Sequence, residues 1–248
     1  MGKIPLAWGV PLKNKKLFLR PKWFKMKKHI LFFMVLMSAA FSVQAQELQS
    51  NAWNAWFTDY SFTASTTLRL ETHFRTRDFY STRDQILIRP GLSYKIAPGA
   101  SVTAGVTYLN NNTAAGNVVE NNIWQQFGFS FPLKRARFLG WIRAEQRWIN
   151  RPDAAVSFGH RIRFRTGFGL PLTPANDKKT EFIAFNEVFM NFKKGFPYTF
   201  NQNWTFLGFQ KTLSSKAKLL SGFQRVSVNG GQGYVHKNIW SSILFYKL

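Results

Sequence analysis

The sequence predicts an all-β fold, a transmembrane antiparallel up-and-down β-barrel of about 10 to 12 strands. Three observations lead to this prediction: apolar and polar residues alternate in one segment after another, many segments exceed the five or six residues of an ordinary globular strand, and the chain ends inside such a segment. Alternation alone also fits a soluble β-sandwich. The segment length favours the barrel, because a tilted strand needs about 9 to 11 residues to cross a bilayer.

The first 45 residues have the pattern of a targeting segment. Residues 26–45 combine a basic start, an apolar run from Ile30 to Phe41 and small residues before Ala45, as in a secretory signal peptide cleaved after Ala45. Residues 1–25 carry seven Lys or Arg and no acid. They are either a long basic front of the signal or an extension upstream of a true start at Met26, and we favour the second. Residues 46–248 then form a single barrel domain.

The amino-acid composition alone excludes several kinds of chemistry. Cysteine is absent, which excludes disulfides, thiolate catalysis and cysteine-ligated zinc. The chain has 26 Phe, 9 Trp and 7 Tyr, residue types that favour strands. Nine of the 34 Lys and Arg residues and none of the 11 acids precede Ala45, so the net charge of +23 falls to about +14 without that segment. Such a charge either attracts anions to a surface or cavity or is spread over solvated faces.

Eleven apolar-rich segments follow the targeting segment, although a single-chain bacterial barrel normally has an even number of strands. Tight turns are expected near residues 97–99, 133–135 and 214–215, and longer loops at 110–121 and 226–233. The segments are 53–62, 66–77, 85–96, 101–109, 123–131, 138–149, 156–170, 182–192, 204–211, 217–226 and 235–248.

Charged residues share one face of several segments and are predicted to line the lumen. In 68–77, for example, Leu68, Leu70 and Phe74 lie opposite the charged side chains. An arginine facing lipid at mid-membrane costs about 2 to 4 kcal/mol, so the charged faces point inward. Glutamates lie two residues from arginines on the same face, which permits inward ion-pair ladders. The lumen candidates are Arg69, Glu71, His73, Arg75, Arg89, Arg143, Glu145, Arg147, Arg161, Arg163 and Arg165.

Segment 182–192 does not reveal its lumen side. Glu187 shares a face with Ile183 and Phe185, whereas Asn186 shares the other face with Val188, so both faces are mainly apolar.

Aromatic residues recur near segment ends, which is typical of girdles at the two membrane interfaces. The last segment alternates to its final residue and resembles the C-terminal signal by which outer-membrane barrels engage the barrel-assembly machinery, although that signal more often ends in Phe. The predicted girdle residues are Trp53, Trp56, Tyr60, Tyr94, Tyr108, Trp124, Trp141, Trp148, Trp204, Tyr234 and Trp240.

Several short motifs together resemble one protein family. They are R-P-G-L-S-Y at 89–94, R-A-E-Q-R-W at 143–148, R-I-R-F-R at 161–165, F-N-E-V-F-M-N-F at 185–192 and F-N-Q-N at 200–203. This set is similar to the family catalogued as domain of unknown function 2490, predicted outer-membrane barrels of Gram-negative bacteria, over nearly all of the chain from Trp53. The resemblance implies the fold and a place in the bacterial outer membrane, in contact with membrane lipid and lipopolysaccharide. It implies no activity.

Enzyme signatures are missing, and we expect no catalytic residue, metal or cofactor. The chain has no G-x-S-x-G elbow, phosphate-binding glycine loop or H-E-x-x-H motif, and four scattered His offer no ligand spacing. His160 falls on the outward face of its segment. Glu71 and His73 could form an acid/base pair, but the neighbouring arginines favour a charge-compensated network. Nucleic acid is not expected as a partner, because arginines and phenylalanines lie on opposite strand faces.

Two function classes remain for the arginine-rich lumen. In the favoured one, the barrel is a non-enzymatic outer-membrane protein in which the arginines and glutamates act as a structural plug. In the alternative, the lumen is an anion-preferring pore or binding channel for small acidic solutes or oligosaccharides. A membrane-embedded lipid-modifying enzyme is a more distant third.

Overall fold

The computed structural model describes residues 49–172, 179–192 and 199–248, and these form one closed barrel of eleven strands. The predicted basic extension 1–25 and signal peptide 26–45 lie outside the described residues. The strands are β1 Gln49–Ser61, β2 Thr66–Arg77, β3 Thr82–Ala97, β4 Ala100–Thr113, β5 Gly116–Leu133, β6 Ala136–Asn150, β7 Ser157–Pro171, β8 Thr180–Phe192, β9 Phe200–Thr212, β10 Ala217–Asn229 and β11 Tyr234–Lys247.

The all-β barrel prediction is confirmed, and each predicted segment corresponds to one strand. Consecutive strands pair antiparallel, as expected, and the eleven strands fall within the predicted 10 to 12, although single-chain bacterial barrels normally have an even number. Because eleven is odd and direction alternates along the chain, the first and last strands run the same way, and β1 pairs with β11 in parallel from Gln49 opposite Lys237 to Asp59 opposite Lys247. We call this pair the closing seam.

The strands are long, from 12 residues in β2 to 18 in β5. The long loop predicted at 110–121 is wrong, since β4 and β5 continue through it and meet where Thr113 pairs with Gly116. The asparagines that suggested a loop instead bond to neighbouring strands: Asn111 Nδ2 donates to the Val118 carbonyl and Asn112 Nδ2 to the Arg83 carbonyl. Gly116 takes a φ of +106°, which favours glycine at this turn.

The two faces of the wall differ in chemistry as the alternation predicts. Large apolar side chains such as Leu92, Val106 and Ile123 are about half exposed on the outer face. The inner face buries the charged residues together with a set of aromatic and aliphatic side chains. Within the described residues, no helix is long and apolar enough to cross a membrane.

Candidate functional site in the lumen

A network of arginines and glutamates covers one side of the lumen, from β2 to β8, and we call it the polar wall. At its centre, three arginines of β7 lie between a glutamate of β6 and one of β8. Glu145 accepts hydrogen bonds from Arg161 Nε at 2.6 Å and Arg163 Nη1 at 2.9 Å. Glu187 accepts from Arg163 Nε at 2.7 Å and Arg165 Nε at 2.8 Å. Both carboxylates are fully buried, so each is neutralised by two guanidinium groups.

Two further pairs extend the polar wall from this centre toward β2. Arg147 holds Glu120 with two parallel bonds, Nε and Nη2 each at 2.8 Å. Arg89 donates from Nη1 to Glu71 at 3.1 Å and from Nε to Thr107 Oγ1 at 2.9 Å. These contacts tie β5 to β6 next to the centre, and β2, β3 and β4 to one another farther along the wall.

The structure places all eleven predicted lumen residues on the inner face. Ten line the lumen cavity, and Glu145 is covered by the arginines that it binds. Arg69 lies apart from the network, at the rim, where it holds Asp59 at 2.7 Å and keeps 41 % of its side chain exposed. His73 is near Glu71, with Nε2 and Oε2 3.8 Å apart.

Inward ion-pair ladders form as the sequence permits, and their Arg–Glu pairs run between strands. Glu145 pairs with Arg161 and Arg163 of the neighbouring strand instead of Arg143 and Arg147 of its own. Same-face residues two apart on one strand are separated by about 6.6 Å, whereas residues opposite each other on paired strands are about 4.5 to 5.5 Å apart.

Glu120 is a network member that sequence reasoning missed. It precedes the predicted segment 123–131, since β5 begins earlier, at Gly116. The available signal was the alternation of Val118, Glu120 and Asn122 with their neighbours. The surrounding asparagines led instead to the prediction of a loop.

Two buried lumen arginines make no ion pair with a carboxylate among the described residues. Arg75 donates from Nη1 to Gln85 Oε1 at 2.7 Å, and its Cζ lies 4.0 Å from the Trp53 ring centroid. Arg143 donates from Nε and Nη2 to Gln126 Oε1 and lies over the rings of Trp124 and Trp141. Amide oxygens and ring faces thus replace carboxylates for these two cations.

The opposite side of the lumen, from β8 through β11 to β1, is mainly hydrophobic, and we call it the apolar wall. Phe185 and Phe206 stack with centroids 4.9 Å apart and pack with Ile183 and Leu220. The lumen face of β8 is therefore the one that carries Ile183, Phe185 and Glu187, which settles the face that the sequence left open.

Side chains from opposite walls meet in the middle of the lumen. The guanidinium carbons of Arg75 on β2 and Arg163 on β7 lie 5.6 Å and 5.8 Å from the ring centroid of Trp204 on β9. Trp204 also contacts Phe189 at 4.6 Å and Trp53 at 5.2 Å between centroids. The space left beside these side chains is a cavity of about 400 Å³.

Four tryptophans predicted to form membrane girdles lie inside instead: Trp53, Trp124, Trp141 and Trp204 contact lumen arginines. Trp124 fits because Gly105 on the neighbouring strand β4 and Gly91 on β3 leave room for it: a Cβ would lie 2.5 Å from its ring at Gly105 and 2.7 Å from it at Gly91. Aromatic rings stack on guanidinium groups as readily as they sit at interfaces, so composition could not separate the two roles. The outward-facing members of the predicted set are Trp56, Tyr60, Tyr94, Tyr108, Trp148, Tyr234 and Trp240.

Within the described part of the chain, little supports metal binding or a chemical role for His160. No group of three or more His, Asp or Glu residues there could hold a metal ion. His160 is exposed on the outer face and packs edge-on against Phe158.

The fold and the lumen define a class: a closed β-barrel with an ion-paired, arginine-rich interior. The chain belongs to the family described as protein of unknown function (DUF2490), whose model matches residues 50–235. A comparison with curated proteins finds no match.

Two solved structures are similar to this barrel. The NanC porin structure aligns with a TM-score of 0.50 and 8 % identity, covering 82 % of this chain and 100 % of that one. The translocator domain of the autotransporter NalP from Neisseria meningitidis aligns with a TM-score of 0.43 and 12 % identity, covering 86 % and 94 %. At this identity the likeness to the porin shows the barrel fold alone.

Proposed function

We propose that this protein is a non-enzymatic β-barrel of the bacterial outer membrane whose lumen is closed by its own side chains. The membrane location is supported by the length of the strands and by the band of exposed apolar side chains on the outer face. In this setting the outer face contacts membrane lipid and lipopolysaccharide. The C-terminal strand β11 engages the barrel-assembly machinery, and its outward Trp240, Leu244 and Tyr246 continue the apolar pattern almost to its end.

The main support for a plugged lumen is that side chains of the polar wall and the apolar wall meet at Trp204. Arg75 on β2 and Arg163 on β7 lie five strand positions apart along the polar wall, and both guanidinium groups approach this one ring of the apolar wall. A solute that moved along the barrel axis would have to displace these stacked groups.

The pairing of the polar wall supports the same conclusion. Glu145 and Glu187 bind Arg161, Arg163 and Arg165, so each of these cations already has a carboxylate partner. Removing one member of a buried ion pair costs about 3 to 5 kcal/mol, which opposes the rearrangement that a passing anion would require.

An anion-preferring pore is the second candidate, and one observation favours it. Arg75 and Arg143 form no ion pair among the described residues, which leaves positive charge in the lumen for a solute.

Planar-bilayer recording of the purified full-length protein tests the plug. We expect no stepwise current from the wild type and step openings from Trp204→Ala, because this change removes the ring on which both walls meet. Trp240→Ala is the matched control, since Trp240 is 50 % exposed on the outer face, and it should stay silent. Wild-type steps with anion preference that shifts in Arg163→Gln and Arg165→Gln would establish the pore instead.

Cell fractionation tests the location independently of conductance. The protein should sediment with the outer membrane and migrate faster on a gel when unheated, as closed barrels commonly do. Recovery as a detergent-free, water-soluble monomer would contradict the membrane assignment.

A further inference from the structure

We infer that the lumen cavity is a binding site for one small monocarboxylate, with Arg75, Trp53 and Gln224 holding the carboxylate and the apolar wall holding its hydrocarbon body. This inference deepens the proposed function and rests on it, because a lumen closed by side chains retains a ligand instead of conducting it.

The charge at Arg75 is the first step. The residue is buried, with only 8 % of its surface exposed. Asp84 also lines the cavity, but it forms an ion pair with Arg77 at 3.6 Å. A buried cation without a directly paired carboxylate is costly, and a bound carboxylate would supply that partner.

Unpaired hydrogen-bond donors around Arg75 are the second step. Arg75 Nε, Trp53 Nε1 and Gln224 Nε2 are buried and have no hydrogen-bond partner among the described residues. All three side chains line the cavity. Each of these atoms can only donate, so they match a group that only accepts, and an ionised carboxylate is such a group.

The strand register shows that these donors belong to one patch. Trp53 on β1 pairs with Arg75 on β2 and, across the closing seam, with Ser241 on β11. Gln224 on β10 lies opposite Ile239, the residue two positions before Ser241 on the same face. The three donors therefore lie on the inner face of β2, β1 and β10, with only β11 between β1 and β10.

The side chains around the three donors determine which kind of carboxylate fits the cavity. Trp53 packs with Val226 and Ile239, and Trp204 and Val228 cover this cluster. These side chains favour an apolar body of small size, since about 400 Å³ is at the low end for ligand pockets. A second negative charge on the ligand would be placed against hydrocarbon, which disfavours dianions such as phosphate.

The cavity extends toward the mouth at the start of β1. Its lining includes Asn111 near the end of β4, Val228 near the end of β10 and Lys237 near the start of β11. Lys237 adds positive charge at this mouth, which attracts anions from solution.

Titration of the detergent-purified full-length barrel with benzoate tests the site, read by tryptophan fluorescence and by calorimetry. We expect saturable binding of benzoate, and binding of neutral benzamide and of inorganic phosphate at least about tenfold weaker. Arg75→Gln should weaken benzoate at least about tenfold. Arg151→Gln is the control, since Arg151 is exposed in the turn between β6 and β7, and it should bind like the wild type.

Gel mobility with and without heating shows whether Arg75→Gln folds. If it does not fold, Gln224→Leu provides the test. It removes one donor without touching a charge and should weaken benzoate about threefold or more. Benzamide or phosphate bound as tightly as benzoate, or benzoate binding unchanged in a folded Arg75→Gln or Gln224→Leu, would overturn the inference. Conductance is measured separately, so a conducting wild type refutes the plug while the titration still decides the site.

Discussion

The polar wall and the apolar wall bury their side chains by different means. On the polar wall, Glu145 and Glu187 reach complete burial only because arginines of the neighbouring strand surround them. On the apolar wall, Phe206 and Ile239 reach it by packing alone. The polar wall therefore depends on matched partners, whereas the apolar wall depends on filled volume.

This difference determines how each wall responds to substitution. Loss of one partner on the polar wall leaves an uncompensated buried charge, and loss of volume on the apolar wall leaves a cavity. The following changes separate the two, with stability measured as the free energy of unfolding by guanidinium titration of the protein in phospholipid vesicles.

Glu187→Gln should have the largest effect. It keeps the side-chain volume but leaves Arg165 without a carboxylate and Arg163 with Glu145 alone. We expect a loss of about 3 to 5 kcal/mol. Glu181→Gln is the matched control, because Glu181 pairs with Arg137, whose side chain is 41 % exposed, and it should cost less than about 1 kcal/mol. Equal effects of the two changes would refute the dependence of the polar wall on pairing.

Phe206→Ala tests the apolar wall. Its ring is 1 % exposed and stacked on Phe185, so removal should cost about 3 kcal/mol through lost contacts and the cavity. Leu213→Ala, in the exposed turn between β9 and β10, should cost less than about 0.5 kcal/mol. A small cost at Phe206 would mean that the apolar wall collapses around the gap.

Thr107→Val should have the smallest effect on the lumen. The valine has nearly the same shape, but Arg89 Nε loses its acceptor while Nη1 keeps Glu71. We expect a loss of about 1.5 kcal/mol in the same titration. A variant as stable as the wild type would show that Arg89 is held by Glu71 alone.

The two walls also differ in how far the sequence predicts them. The faces of β2 and β7 follow from arginines at every second position, because only one face of such a strand tolerates hydrocarbon. The face of β8 does not follow, since Phe185 and Val188 are apolar on either side, and only the barrel decides which is enclosed. Periodicity detects a difference between faces and fails where both are alike.

The partners in each ion pair and the ends of the strands could not be predicted from the sequence, for a related reason. Which arginine meets Glu145 depends on the register between β6 and β7, which is set by the whole barrel. Arg75 and Arg143 carried the same signal as the paired arginines, so their lack of a carboxylate partner emerged only from the structure.

The closing seam has a consequence for assembly. It joins the two strands most distant along the chain, so it forms only after every other strand is available, and its loop-closure entropy is the largest in the barrel. Parallel ladders are slightly weaker per residue than antiparallel ones, which makes the seam the line along which the wall separates most easily. Until it forms, β1 and β11 each present a row of unsatisfied amide groups, a template for a neighbouring chain.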